Sequence, residues 1–144
     1  MKKWMMLFLG MVFTASVVSA GPVIVDMRTP DGKTDPLSLK LAAAIWDGFE
    51  GDSVFIPVIQ GEDMPRFIVE IDVTEKAGNK EEFQYQVQLF ADLDGSNQEA
   101  FLARLDGVGK KSEIPNKGKQ MAQEIKSNLK KQEAEMTTLQ KYTD

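Results

Sequence analysis

Apolar and polar residues alternate over two stretches in the middle of the chain. In the first, Phe67, Val69, Ile71 and Val73 fall on one side, with Ile68, Glu70, Asp72 and Thr74 on the other. In the second, Phe83, Tyr85, Val87 and Leu89 face away from Gln84, Gln86 and Gln88. A period of two puts successive side chains on opposite faces of an extended strand. The intervening Lys76-Ala77-Gly78-Asn79-Lys80 therefore predicts a hairpin turn. Upstream, Val23-Ile24-Val25 is short and β-branched and ends in Thr29-Pro30-Asp31-Gly32, the pattern of a strand followed by a loop. The apolar run Val54 to Ile59 has strand length, but Pro57 cannot donate to a ladder, which predicts an edge or a bulge there. After a second turn at Asp92 to Asn97, Ala100 to Leu105 reads as a further strand. Gly107-Val108-Gly109, following so closely, decides against a helix for that segment.

Two segments carry the helical period instead. Asp35-Pro36 announces the first, because an Asp N-cap accepts unpartnered N–H groups and a proline at the first helical position gives up a donor with no partner there. Its stripe is Leu37, Leu41, Ala44, Ile45 and Gly48, broadened by Trp46 and Phe49, with the end expected near Asp47 and bracketed by Gly48 and Gly51. The second follows Pro115 and Asn116, with Met121, Ala122, Ile125, Leu129 and Gln132 at helical spacing. Strands that alternate apolar residues with Gln, Glu, Asp and Thr have one covered and one wet face, and two amphipathic helices suffice to cover one. The expected fold is α/β (α+β), a two-layer sandwich. It holds a mixed sheet of about five strands around an antiparallel hairpin, with both helices on one face. Residues 21–132 are expected to form one domain, and residues 133–144 a tail that frays as the pattern thins.

The first twenty residues stand outside that fold. Lys2 and Lys3 precede the apolar stretch Trp4 to Val18, and Val18-Ser19-Ala20 supplies the small residues of a cleavage site, the organisation of a secretory leader. The apolar run is short for a membrane span, which takes about 20 residues. Gly21 stands where a lipoprotein would carry its lipidated cysteine. The expected location is thus the periplasm, as an exported, unlipidated protein with no integral membrane segment after processing. The chain has 17 Lys and Arg against 22 Asp and Glu, a net charge of −5. Removing residues 1–20 takes away Lys2 and Lys3 and no acid, leaving 15 positive against 22 negative charges, a balance of −7. So acidic a chain repels phosphate backbones, and nucleic acid is not an expected partner. The chain contains neither His nor Cys. Nucleophile–imidazole machinery, imidazole or thiolate metal ligation and disulfides are excluded with them.

The element order resembles small periplasmic domains of the kind found at the N-terminus of the Tol-Pal translocation protein TolB, in curli-export lipoproteins of the CsgG type and in lipoprotein activators of penicillin-binding proteins. The stretches that carry the resemblance are Phe67 to Thr74, Phe83 to Asp94, Glu99 to Asp106 and Gln120 to Leu129. It implies an α/β domain that works by contact within the cell envelope. The chain departs from the lipoprotein members in having no cysteine to lipidate, and the resemblance assigns no functional residue.

Candidate chemistry is sparse. Asp92-Leu93-Asp94-Gly95-Ser96-Asn97-Gln98-Glu99 gathers oxygens as a Ca²⁺ loop does, but its glycine and terminal Glu are misplaced for an EF-hand. A turn held by Asp and Asn side chains on backbone N–H groups is the expected reading. Glu70 and Asp72, with Glu81 and Glu82 near the partner strand, raise glycoside hydrolysis by paired carboxylates, but nothing in the sequence supplies a cleft, and polar alternation on a solvated sheet face is the expected reading. No nucleophile elbow, Ser-x-x-Lys or phosphate loop occurs. Neither a catalytic or metal site nor a cofactor is expected. The one candidate interaction surface is the row Glu70, Asp72, Thr74, Gln84, Gln86 and Gln88. Lys117, Lys119, Lys126, Lys130 and Lys131 read as the solvated side of the last helix, and Trp46 as a core residue. The leading expectation is a non-enzymatic periplasmic accessory or adaptor that contacts an envelope protein. The alternative is a small-ligand or glycan-binding protein using the glutamine row or the loops Gln60–Pro65 and Gly107–Lys111.

Overall fold

The computed structural model describes residues 23–30, 33–59, 61 and 63–143, with side chains described through Glu133. The expected leader, residues 1–20, lies outside the described residues. Five strands form one open mixed sheet: β1 (Val23–Arg28), β2 (Phe55–Val58), β3 (Arg66–Lys76), β4 (Asn79–Asp92) and β5 (Ala100–Lys110), in the order β2-β1-β3-β4-β5. β1 is parallel to both β2 and β3, whereas β3–β4 and β4–β5 are antiparallel. Among the described residues two α-helices, α1 (Pro36–Phe49) and α2 (Ile114–Thr143), accompany the sheet. They bury their apolar stripes against the same face of the sheet, giving the expected two-layer α/β sandwich. α2 continues past Glu133, where the apolar pattern thins, to Thr143.

Local chemistry explains each element. Asp35 caps α1, accepting from the Ser38 backbone N–H at 3.0 Å and the Ser38 hydroxyl at 2.8 Å, and Pro36 occupies the first helical position. β2 is a four-residue edge strand containing Pro57, where the missing N–H costs no ladder bond. The β3–β4 turn narrows to Ala77-Gly78, with Gly78 at φ +79° and Lys76 opposite Asn79. Phe67, Val69, Ile71 and Val73 oppose Ala91, Leu89, Val87 and Tyr85 on the helix-covered face, and all are buried. Trp46 only packs at the margin of the core. Leu41, Ile45 and Phe49 occupy the inner stripe of α1 instead, which turns the indole half outward.

The third hairpin strand runs further than its glycines suggest. β5 continues through Gly107 and Gly109 to Lys110, so Gly107–Lys111 is strand followed by a short helical turn rather than a loop. The glycines do not break the strand; they make room for cross-strand aromatic rings. A Cβ at Gly107 would lie 2.3 Å from the Tyr85 hydroxyl and one at Gly109 2.7 Å from the Phe83 ring, so both rings spread across the backbone of β5.

Small residues also set the distance between the helices. Ala44 and Gly48 on α1 meet Gly118 and Ala122 on α2, each pair four apart on its helix. A Cβ at Gly48 would fall 2.5 Å from Ala122 Cβ, and one at Gly118 would fall 2.2 Å from Ala44 Cβ and 2.7 Å from the Ala44 carbonyl carbon. The backbones therefore approach too closely for any side chain at these positions. Lys126, expected on a solvated strip, is instead a tie between elements. Its ammonium donates to the Gly48 carbonyl at 2.6 Å, lies 3.0 Å from Asp52 and sits 5.1 Å from the centre of the Phe49 ring. It thereby satisfies a carbonyl at the end of α1. Lys117 likewise turns inward, over Tyr85 at 5.3 Å. Lys119, Lys130 and Lys131 are exposed as expected.

Two predictions follow the packing. Helix propensity alone favours Gly118→Ala by about 1 kcal/mol, whereas the clash with the Ala44 backbone should reverse the sign. A net loss of about 1–3 kcal/mol in urea unfolding is expected. Asp52 accepts from the Phe55 and Val54 N–H groups at 2.9 and 2.8 Å, bonds that with Lys126 lower its pKa from 3.8 to about 2. A carboxylate depressed by folding stabilises the protein above its unfolded-chain value, and that contribution fades as pH falls through the folded one. Asp52→Asn should therefore flatten the loss of melting temperature between pH 3.8 and about 2.

Candidate functional site

With both helices on one face, the other face of the sheet has no helix over it among the described residues. The outward positions of β3 and β4 meet there in register: Glu70 opposite Gln88, Asp72 opposite Gln86 and Thr74 opposite Gln84. All six residues of the expected interaction row thus form three adjacent cross-strand pairs, half-buried to exposed. β5 extends the surface, placing Arg104 beside Gln88, Asp106 beside Gln86 and Val108 beside Gln84. A shallow groove of ≈ 480 Å³ crosses its middle, lined by Asp72, Thr74, Gln84, Gln86, Asp106 and Val108 among others.

The two carboxylates considered for hydrolysis each hold a cation. Glu70 accepts from Arg28 Nε at 3.1 Å, and Asp72 accepts from Lys33 Nζ at 2.9 Å, so ion pairs occupy both. Glu82 lies 3.3 Å from Lys76 near the hairpin turn.

One end of this face is closed over by the loops on either side of β3 and β4, and here the structure assembles a group that periodicity did not reveal. Arg66, at the start of β3, is buried with its side chain 3% exposed. Its Nε donates to Asp26 of β1 at 3.2 Å and its Nη1 to Asp92 of β4 at 2.9 Å. Nη1 also lies 3.3 Å from the Met64 carbonyl and from Asn97 Oδ1, while Nη2 is 3.8 Å from Glu99. Glu99 in turn accepts both Nη groups of Arg28, at 2.8 and 2.7 Å. That fork holds the Glu99 carboxyl below the usual carboxylate range. Two arginines therefore stand among four carboxylates: Asp26, Glu70, Asp92 and Glu99.

The acidic turn is explained by the same group. Asp92 accepts from the N–H groups of Gly95 and Asn97 at 3.0 and 2.8 Å, and Asp94 accepts from that of Ser96 at 3.0 Å. These are the expected backbone-directed bonds, and they are joined by the Arg66 guanidinium on Asp92, a fixed positive group where a calcium loop would hold its ion. Among the described residues no cluster of His, Cys, Asp or Glu has the arrangement to hold a metal. Asn97, at φ +68°, and Asp63, at φ +62°, bind each other reciprocally: Asn97 Nδ2 donates to Asp63 Oδ1 at 2.8 Å, and Asp63 N donates to Asn97 Oδ1 at 3.2 Å. The loop preceding β3 is thus clasped to the loop following β4. Ile59, Met64 and Leu93 are exposed on these loops. Phe101 of β5, 58% exposed, packs edge-on against Phe90, whose ring also carries Arg28 at 5.7 Å.

No protein-family model matches the chain, and no curated protein does. Solved structures do show similarity. The rare lipoprotein B from Shewanella oneidensis aligns with a TM-score of 0.38 and 16% identity, over 81% of this chain and 98% of that one. A hypothetical protein from Chlamydia trachomatis aligns with a TM-score of 0.32 and 11% identity, over 62% of this chain and 72% of that one. Among the described residues, no helix is long and apolar enough to cross a membrane.

The sequence pattern locates the outward row and reads Asp92 and Glu99 only as part of a turn, but it does not reveal Asp26, Arg28, Arg66, Phe90 and Phe101. The available signal was Asp26 within the apolar run Val23 to Met27: a carboxylate among strand-forming apolar residues calls for a buried cation. Arg66→Met should leave Asp26 and Asp92 buried without their cation. The expected cost is about 3–5 kcal/mol in denaturant unfolding, with faster proteolysis in residues 59–65 and 93–99. Arg104→Met, at an exposed pair, should change stability by less than about 1 kcal/mol.

Proposed function

We propose that the protein is a non-enzymatic accessory of the bacterial cell envelope, exported to the periplasm, and that it acts by binding another envelope protein through the uncovered face of its sheet. The observation that carries this reading is the continuity of that face. Three cross-strand polar pairs run without interruption from β3 to β5 and end at loops whose exposed apolar residues are held in place by the Arg66 and Asp63–Asn97 bonds. A preformed surface with a polar field and an apolar end is suited to macromolecular contact, because little ordering entropy is lost on binding. The leader-like residues 1–20 and the resemblance to periplasmic envelope domains support the compartment. Ion pairs on Glu70 and Asp72 support a binding role over a catalytic one.

The groove lined by Asp72, Thr74, Gln84, Gln86 and Asp106 favours one second reading, a glycan held by amide and carboxylate bonds to its hydroxyls. The two readings separate experimentally. A photo-crosslinking residue at Gln86 should capture a discrete envelope protein, whereas the same residue at exposed Lys130, on the helix layer, should not; equal capture from both positions refutes the contact surface. If a glycan is the ligand, envelope oligosaccharides should instead raise the melting temperature with concentration, as any ligand selective for the folded state must.

A further inference from the structure

The two edges of the sheet differ. β2 is four residues long and carries Pro57, whereas β5 spans 11 residues with no proline. Edge strands in stable monomers are usually short, kinked or lined with charges of one sign that repel a second copy. β5 has a register shift where it passes Leu89 and Phe90, but from Ala103 to Gly109 it is regular, and the two charges at its centre have opposite sign. Arg104 and Asp106 both point to the uncovered face, symmetrically about Leu105. They are 52% and 51% exposed, with Arg104 Nε 3.1 Å from Asp106 of the same chain. Leu105 points the other way, opposite Val87, and is only partly buried. Beside it runs a groove of ≈ 540 Å³ between β5 and α2, lined by Tyr85, Leu105, Gln123, Glu124, Ser127 and Asn128 among others.

We infer that β5 is a self-association edge, pairing antiparallel with β5 of a second copy across a two-fold axis at Leu105. An antiparallel pair centred on a residue sets position 105 against 105, 104 against 106 and 103 against 107. Each Arg104 then faces the second copy's Asp106 on the open side, and small Ala103 faces Gly107. The two leucines meet on the helix side, where each reaches toward the groove beside α2. The charge pattern is self-complementary in this register. Moving the arginine from its weak exposed partner within the chain to its equivalent in the second copy costs little, while the edges exchange open backbone groups for ladder bonds. The result is one continuous sheet through both copies that doubles the uncovered face.

The test is sedimentation equilibrium on the purified protein and two charge reversals. The wild type should be a dimer. Arg104→Asp and Asp106→Arg, each alone, should weaken self-association on the order of tenfold or more, since like charges then oppose each other twice across the axis. Mixed in equal amounts, the two variants should form a heterodimer, because one then brings two carboxylates to the seam and the other two guanidinium groups, and every facing pair is of opposite sign. Recovery in the mixture also shows that both variants are folded. A wild type that stays monomeric to its solubility limit overturns the inference, as do reversals that leave the dimer intact or a mixture that fails to associate.

Discussion

The register of β3 against β4 is the constraint on which the other features depend. Along these strands every inward pair from Phe67–Ala91 to Val73–Tyr85 is buried, and the outward pairs from Glu70–Gln88 to Thr74–Gln84 are polar. A slip of one residue would turn Glu70 and Asp72 into the core and Ile71 and Val87 into water, so hydrophobic burial alone holds the alignment. The register shifts at Glu75/Lys76 before the Ala77-Gly78 turn is reached, so the turn does not set this alignment. Once set, this register supplies the floor of the core on one side and the continuous polar face on the other. It also aligns the strands that receive β1 and β5.

The helix layer then determines which parts of the sheet stay open. The contact of Ala44 and Gly48 with Gly118 and Ala122 draws the two helices together, and Lys126 joins them again at the end of α1. A pair of helices packed this closely leaves the helix-side residues of β5 only partly covered. Phe83 and Tyr85 extend across Gly107 and Gly109 to fill part of that space. The same compactness that completes the core therefore leaves a long strand edge exposed beside a groove.

At the opposite end of the open face, a buried charge organises loops that have no regular structure of their own. Arg66 pairs with Asp26, through its Oδ2 alone, and with Asp92 at once, and Asp92 in turn binds the backbone of the turn that follows it. Breaking a buried group of this kind is costly, although forming it adds little net stability. Its contribution is to geometry: the clasped loops carry the exposed side chains of Met64 and Leu93.

Local chemistry sufficed to read much of this from the chain. The period-two rows of β3 and β4, the proline-bearing edge strand β2, the Asp35-Pro36 start of α1 and the Asp-rich turn each depend on residues within a few positions of one another. Such residues express their preferences wherever the chain goes. The outward row was legible for the same reason. Partners distant in sequence were not. Arg66 meets Asp26 across 40 positions and Asp92 across 26, and Lys126 meets Gly48 across 78, separations over which no periodicity operates. Gly107 and Gly109 look like strand breakers until the rings opposite them are seen, and Lys117 and Lys126 look solvated until α2 is packed. Sequence alone determined which faces are apolar and where strands and helices begin, because burial and capping act on individual side chains. Only the tertiary structure decided which charges are buried together, which glycines are spacers and which edge remains open, because those depend on the order in which the strands lie side by side.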